Sequence, residues 1–321
     1  MKKNIIILTG GSSAEKNISI KSADVINNVL QKHYNIKTIL CSFEDKLKFI
    51  NLKKEKIELK NYIKKNNIAV VLVMIHGSPG ENGITSKYLE KIKIPYTNCN
   101  KSTSEITFNK YKCSNLLKKK YKIISPFSIH MKNNFIEKKF LDSKIQFPCF
   151  VKPNNGGSSF GANIANNIEE LKKAFEQAKK YDDEVIIEEF IQGKEVTCGT
   201  YSINKKTLCL PITEIISKNI FFDYEAKYKG LSKEITPAKI NKKISKKITD
   251  ISKKIYNSLK LKGLVRIDYI IKKDTPYMIE VNTIPGMSLE SIVPQQIKSA
   301  SIDLGEFIST LIEDCIKNTN S

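Results

Sequence analysis

The chain has 321 residues, 54 of them basic against 33 acidic, and 40% hydrophobic content, enough for a buried core and two or three compact units. Its first apolar run, residues 5–8, is shorter than the roughly 7–15 residues of a signal-peptide core, and no later run reaches the roughly 18 that span a bilayer, so a soluble, cytoplasmic protein without a membrane partner is expected. The formal charge of +21 does not carry a nucleic-acid reading: Arg266 is the single arginine and the lysines are dispersed among asparagine and isoleucine, whereas readers of bases and phosphates lean on arginine forks. The seven cysteines form no C-x-x-C pair and share no ligand spacing with His33, His76 or His130, which predicts reduced, buried thiols and no zinc.

In chain order, a strand at 5–8 runs into Gly10-Gly11-Ser12-Ser13-Ala14-Glu15 and a helix over 19–30. A buried strand, AVVLVMI (69–75), ends in HGSPGENG, and after a helical segment IPYTN (94–98) reads as a third strand. Strand, turn and helix in repetition predict an open α/β domain whose ligands sit at the strand ends. Beyond residue 98 the pattern predicts a helix at 108–120, a strand FPCFVKP (147–153), a Gly/Ser loop at 154–163, a helix at 168–181 and a strand at 184–191. Strands near 195–203 and 208–215, a polar loop over 217–236 and a basic amphipathic helix at 239–259 follow. Two closing strands and a helix at 303–316 complete the chain.

Chemistry concentrates on those closing strands, GLVRIDYII (263–271) and PYMIEVN (276–282), which read as a hairpin across KKDT. Alternation puts Arg266 on one face with Asp268, and Glu280 on one face with Asn282. If the two faces coincide, two carboxylates and a carboxamide oxygen converge beside a guanidinium, a donor set suited to Mg²⁺ carrying a triphosphate; otherwise they form a solvated face of ordinary ion pairs. Arginine kept at this one position, inside an apolar strand, favours a need for a planar, two-pronged donor. The second signal is KPNNGGSSFG (152–161), where loop N–H groups and the hydroxyls of Ser158 and Ser159 can wrap phosphate beside Lys152. It matches neither a Walker A loop nor a dinucleotide fingerprint, and a flexible linker is the competing reading. Glu188, Glu189 and Glu195 could accept from adenine or ribose, or could simply be surface.

Together and in order, GGSSAEKNIS (10–19), HGSPGENG (76–83), FVKPNNGGSSFG (150–161), EEFIQGKEV (188–196), FDYEAKY (222–228), RID (266–268) and EVNTIPGMS (280–288) resemble the D-alanine–D-alanine ligases of the ATP-grasp superfamily. The resemblance implies an α/β chain, α+β in its C-terminal part: an ATP-grasp fold preceded by an open, mostly parallel α/β domain. Its units would be 1–98, 99–190 with the phosphate loop, and 191–321 with the metal site. It further implies ATP as co-substrate and two Mg²⁺, or Mn²⁺, on Asp268, Glu280 and Asn282. Lys110, Lys152 and Lys227 would hold the phosphates under the Ser158–Ser159 loop, with Glu188 at adenine and Glu195 at ribose. Glu15 would orient the first ammonium, linked to Ser158 and Tyr228; His76 would lie near the substrates and Ser291 would take the second carboxylate. Arg266 and the Gly286 N–H would form the oxyanion hole.

The implied activity joins two D-alanines through a D-alanyl phosphate for peptidoglycan precursors, with D-alanine and ATP as small-molecule partners and a homodimer by family analogy. Tyr228 in the lid position goes with D-alanine rather than D-lactate as second substrate. D-Ala–D-Lac or D-Ala–D-Ser ligation is the near alternative, and a noncatalytic basic nucleic-acid binder the distant one. Gly156, Asn82 and Ala162 depart from the usual family residues without removing a catalytic group.

Overall fold

The computed structural model describes residues 2–217 and 232–319. Three sheets organise it. The first is built on β1 (Asn4–Gly10), which pairs in parallel with β2 (Asn35–Phe43) and β5 (Ile68–Val73); β3 (Leu47–Asn51) and β4 (Lys56–Ile57) extend it antiparallel, in the order β4-β3-β2-β1-β5. Because β1 and β5 are covered on both faces, their apolar residues run on without alternation. On one face Ile5, Ile7, Val70 and Leu72 meet α1 (Lys16–Leu30) and the distant α10 (Leu304–Thr319), through Ala23, Ile26, Phe307, Ile308, Leu311 and Ile312. On the other, Ile6, Leu8, Val71 and Val73 pack with residues of α2 (Leu59–Lys65) and α3 (Ile84–Lys91).

The second sheet, β6-β9-β7-β8, joins β6 (Ser128–Lys132), β7 (Cys149–Pro153), β8 (Asn163–Ala165) and β9 (Glu184–Glu189) antiparallel, and packs on α7 (Ile168–Lys179), with α6 (Glu137–Leu141) at its margin. The third runs β13-β12-β10-β14-β15, with β11 also on β10. Its strands are β10 (Lys194–Ile203), β11 (Lys206–Cys209), β12 (Thr213–Ser217), β13 (Ser232–Ile235), β14 (Leu264–Lys272) and β15 (Thr275–Asn282). Against it pack α4 (Lys101–Phe108), α5 (Lys110–Tyr121) and α8 (Lys242–Ser258), whose Ile244, Ile248 and Ile255 line up at helical spacing on the core side. The asparagine-rich composition is put to use at helix starts: Asn100, Asn109, Asn167 and Asn241 each accept an N–H of the first turn.

The structure corrects some expected elements. Residues 94–98 form a single bridge, Val71 to Tyr96, instead of a strand; Pro95, without an N–H, offers the sheet only its carbonyl, which Val71 N–H takes at 2.9 Å. The run 208–215 divides into β11 and β12 around Pro211. Helices α4 and α9 (Ile292–Ser299) were not anticipated. Among the described residues, no helix is long and apolar enough to cross a membrane. Five of the cysteines are buried, and burial pushes the thiols of Cys41, Cys99 and Cys113 up to about 12, where they are inert.

Candidate active site

Two loops from different sheets meet at Glu15. Gly10 and Gly11, at φ +98° and +99°, turn the chain off β1, and Glu15 follows at the start of α1, 9% exposed. From the second sheet the loop after β7 reaches across, and Ser158 Oγ donates to Glu15 Oε1 at 2.5 Å. The approach needs a glycine beside it, since a Cβ on Gly157 would stand 2.7 Å from Glu15 Oε2. Ser158 and Ser159 adopt left-handed φ of 51° and 56°, a conformation that costs about 1–3 kcal/mol per residue and that persists where surrounding contacts impose it.

The hairpin register settles whether the two polar faces coincide. Arg266 pairs across the ladder with Asn282 and Asp268 with Glu280, with a bulge just beyond Asp268, so all four side chains share one face. Arg266 grips Asp268 with both prongs, Nε to Oδ1 at 2.9 Å and Nη2 to Oδ2 at 2.8 Å, and Thr197 Oγ1 donates to the same Oδ1 at 2.5 Å. A carboxylate has about four lone-pair positions, so Asp268 keeps one free for a cation.

The lysines arrive from two other elements. Lys152, near the end of β7 and 6% exposed, pairs with Glu188 of β9 at 2.8 Å. Lys110, the first residue of α5, donates to the Gly156 carbonyl and lies 3.7 Å from Glu280. Asn154 joins the two supports: its carbonyl accepts from Lys110 N–H at 3.1 Å, its Oδ1 from Tyr111 N–H at 3.0 Å, and its Nδ2 donates to Glu184 at 2.6 Å.

His76 is buried and neutral. Burial lowers its pKa against the opposing pull of Glu15, and both ring nitrogens are engaged, Nδ1 with the Ile284 carbonyl at 2.7 Å and Nε2 with Ser22 Oγ at 3.2 Å. The partners assign the proton to Nδ1. Ser291 stands at the entry to α9 without capping it; its Oγ instead accepts Ser288 N–H at 3.1 Å, and a Cβ on Gly286 would stand 2.7 Å from that Oγ.

One cavity of about 1640 Å³ is lined by Glu15, His76, Lys110, Lys152, Ser158, Ser159, Glu188, Glu195, Arg266, Asp268, Glu280, Asn282, Gly286 and Ser291. Every described residue selected from the sequence is therefore gathered in one place; Lys227 and Tyr228 lie outside the described residues. Sequence reasoning passed over three buried supports: Thr197, Ser22 and Glu81. Ser22 carries a readable signal, because it falls with Ser19, Ala23 and Ile26 on the buried stripe of α1. The donor set fits Mg²⁺: Asp268, Glu280 and Asn282 offer hard oxygens only, too few for an octahedron, leaving positions for phosphate and water.

Comparison with known proteins identifies the family. Residues 4–99 match the family model for the D-ala D-ala ligase N-terminus and residues 112–313 that for its C-terminus. The chain is 38% identical to the D-alanine–D-alanine ligase of Parabacteroides distasonis, with 99% of each chain covered, and 41% identical to that of Azobacteroides pseudotrichonymphae, covering 97% of this chain and 99% of that one. Among solved structures it resembles the Bacillus anthracis D-alanine–D-alanine ligase (TM-score 0.81, 29% identity, 99% of each chain). It also resembles the VanG D-Ala:D-Ser ligase of Enterococcus faecalis (TM-score 0.82, 27% identity, 98% of this chain and 100% of that one). With its three sheets, one cavity that gathers the described residues selected from the sequence, and two family models that together match most of its length, the chain belongs to the D-alanine–D-alanine ligase family.

Proposed function

We propose that this protein joins two D-alanines into D-alanyl-D-alanine at the expense of ATP, for peptidoglycan precursor synthesis in the cytoplasm. The observation that carries the reading is the meeting of Glu15, Ser158 and the Arg266–Asp268–Glu280–Asn282 face in one cavity: an ammonium site, a phosphate loop and a cation site within reach of one another.

In this reading Glu15 receives the ammonium of the first D-alanine and aims its carboxylate at the γ-phosphorus. Lys110 and Lys152 hold the phosphates, with Lys227 on the strength of its sequence position, and the Ser158–Ser159 loop covers them and excludes water. Glu188 and Glu195 take adenine and ribose; for Glu188 this means sharing itself with Lys152. Asp268, Glu280 and Asn282 would hold two Mg²⁺, which when bound neutralise triphosphate charge during transfer. A carboxylate oxygen attacks the γ-phosphorus, the bond from that phosphorus to the β–γ bridging oxygen breaks, ADP leaves with that oxygen, and the acyl phosphate forms. The second amine, deprotonated, then attacks the acyl carbon and phosphate leaves. Arg266 and Gly286 N–H face the oxyanion of that step, where preorganised donors act most strongly, and Ser291 receives the second carboxylate. His76, with both ring nitrogens engaged, fixes the wall beside the substrates. The identity of Tyr228 supports D-alanine over D-lactate as the second substrate.

We further propose three units, 1–98, 99–190 and 191–321, each carrying one sheet, a homodimeric assembly, and no nucleic-acid or membrane partner. The decisive assay is phosphate release from ATP and Mg²⁺ with and without D-alanine, with product masses. D-alanine-dependent phosphate with D-alanyl-D-alanine is expected. A preference for D-serine or D-lactate would change the substrate and keep the mechanism, and no release with any acceptor would sink the proposal.

A further inference from the structure

The backbone around Gly286 is held from the first sheet's side. Ile284 lies between Asn282 and Gly286, and the loop after β5 reaches both of its backbone groups: its N–H is shared between Glu81 Oε1 and Asn282 Oδ1, each at 3.3 Å, and its carbonyl accepts from His76 Nδ1 at 2.7 Å. On the far side of Gly286, Met287 N–H donates to Ser22 Oγ of α1 at 3.0 Å. Glu81 also folds its own loop, accepting Gly77 N–H through Oε2 at 2.7 Å. It is 9% exposed and is not among the residues lining the cavity, so it does not contact a ligand there.

A carboxyl group is an expensive group to bury. Burial, and then the neighbouring Glu15, push Glu81 up to about 8, against the two N–H contacts and Lys110. What a carboxyl offers in return is two oxygens on one rigid plane, each able to accept an N–H even when one of them carries the proton, a bridge that a carboxamide, with one acceptor oxygen beside an NH₂, does not make. Resting on the ligase reading above, we propose that Glu81 is a positioning residue for the reaction: by bridging Gly77 N–H and Ile284 N–H it sets where the Gly286 N–H stands relative to Glu15 and the first D-alanine.

The test compares Glu81→Gln and Glu81→Asp with the wild type. Glutamine keeps one acceptor, which stays with the closer Gly77 N–H, and turns its amide N–H₂ toward Ile284. Aspartate is a methylene too short to span both. Both variants are expected to melt cooperatively and to bind ADP within about two-fold of wild type, while kcat falls about ten- to hundred-fold and the KM for D-alanine rises. Wild-type kcat in both variants overturns the proposal. So does a loss of ADP affinity and melting temperature in step with kcat, or failure of both variants to fold, since either makes Glu81 a residue of the fold alone. Wild-type protein that makes no D-alanyl-D-alanine would instead sink the ligase reading, and that is seen before any variant is compared.

Discussion

Arg266 is the one guanidinium in a chain of lysines, and its two contacts to Asp268 cannot be copied by an ammonium. Arg266→Lys is expected to lower kcat about 10²–10³-fold, the range for losing an oxyanion donor, while ADP affinity measured by calorimetry stays near wild type; undiminished turnover would assign Arg266 to the fold. This residue was legible because composition made it conspicuous. Glu81 was not: it sits in HGSPGENG as one polar letter among several, and its meaning lies in a backbone N–H about 200 positions away, which no local pattern reports. Its titration is nonetheless measurable. The native carboxyl is pushed from 4.5 to about 8, so the folded chain keeps a proton that the unfolded chain releases above about pH 4.5. The stability this group contributes is full below that pH and is lost as pH rises toward about 8. Urea midpoints of the wild type should therefore fall relative to those of Glu81→Gln between about pH 5 and 8, and parallel curves would mean an ionised native carboxylate.

The β14–β15 hairpin shows what alternation can and cannot deliver. Period-two spacing placed Arg266 with Asp268 and Glu280 with Asn282, but whether the pairs faced one another depended on the register, which the bulge after Asp268 helps to set. With that face assembled, Glu280→Gln is expected to raise the Mg²⁺ concentration needed for half-maximal phosphate release by about ten-fold or more, since one charged ligand is replaced by a neutral one; an unchanged Mg²⁺ titration would remove Glu280 from the cation site. The phosphate loop carries its own test. Gly157→Ala would place a methyl 2.7 Å from Glu15 Oε2, so the loop must withdraw from Glu15; kcat/KM for D-alanine should fall while the melt stays cooperative, and an undisturbed D-alanine KM would mean the loop has room to spare. The sequence misled at 94–98, where apolar content resembled a strand and only a bridge forms, and at 208–215 it merged two strands that lie on either side of Pro211. The tie between β10 and α9 was equally hidden: Gln296, fully buried, takes Gly199 N–H at 3.1 Å and gives to the Thr197 carbonyl at 3.0 Å.

Over the whole molecule, the order of many strands and loops was legible because several motifs close a strand, but the packing between distant segments was not. Residues 99–123 pack into the core of the third sheet, and α10 returns to the first sheet, burying Phe307, Ile308, Leu311 and Ile312 against α1 and β1. At about 1.5–3 kcal/mol for each such side chain, that docking is worth roughly 6–12 kcal/mol, comparable to the about 5–15 kcal/mol that holds a native protein together. A chain ending at residue 303 is therefore expected to lose its cooperative melt and to bind a hydrophobic dye; a sharp melt with wild-type ADP affinity would show the helix to be dispensable. The docking of α10 also imposes an order in time. A ribosome adding about 5–20 residues per second needs roughly 12–48 s to pass from the end of β5 at Val73 to Ile312 of α10, and during that time the part of the first sheet's face that α1 leaves open waits for residues still to be made. The nascent chain thus has its first sheet translated early and one face of it closed late, and that interval is the one in which a chaperone has most to shield.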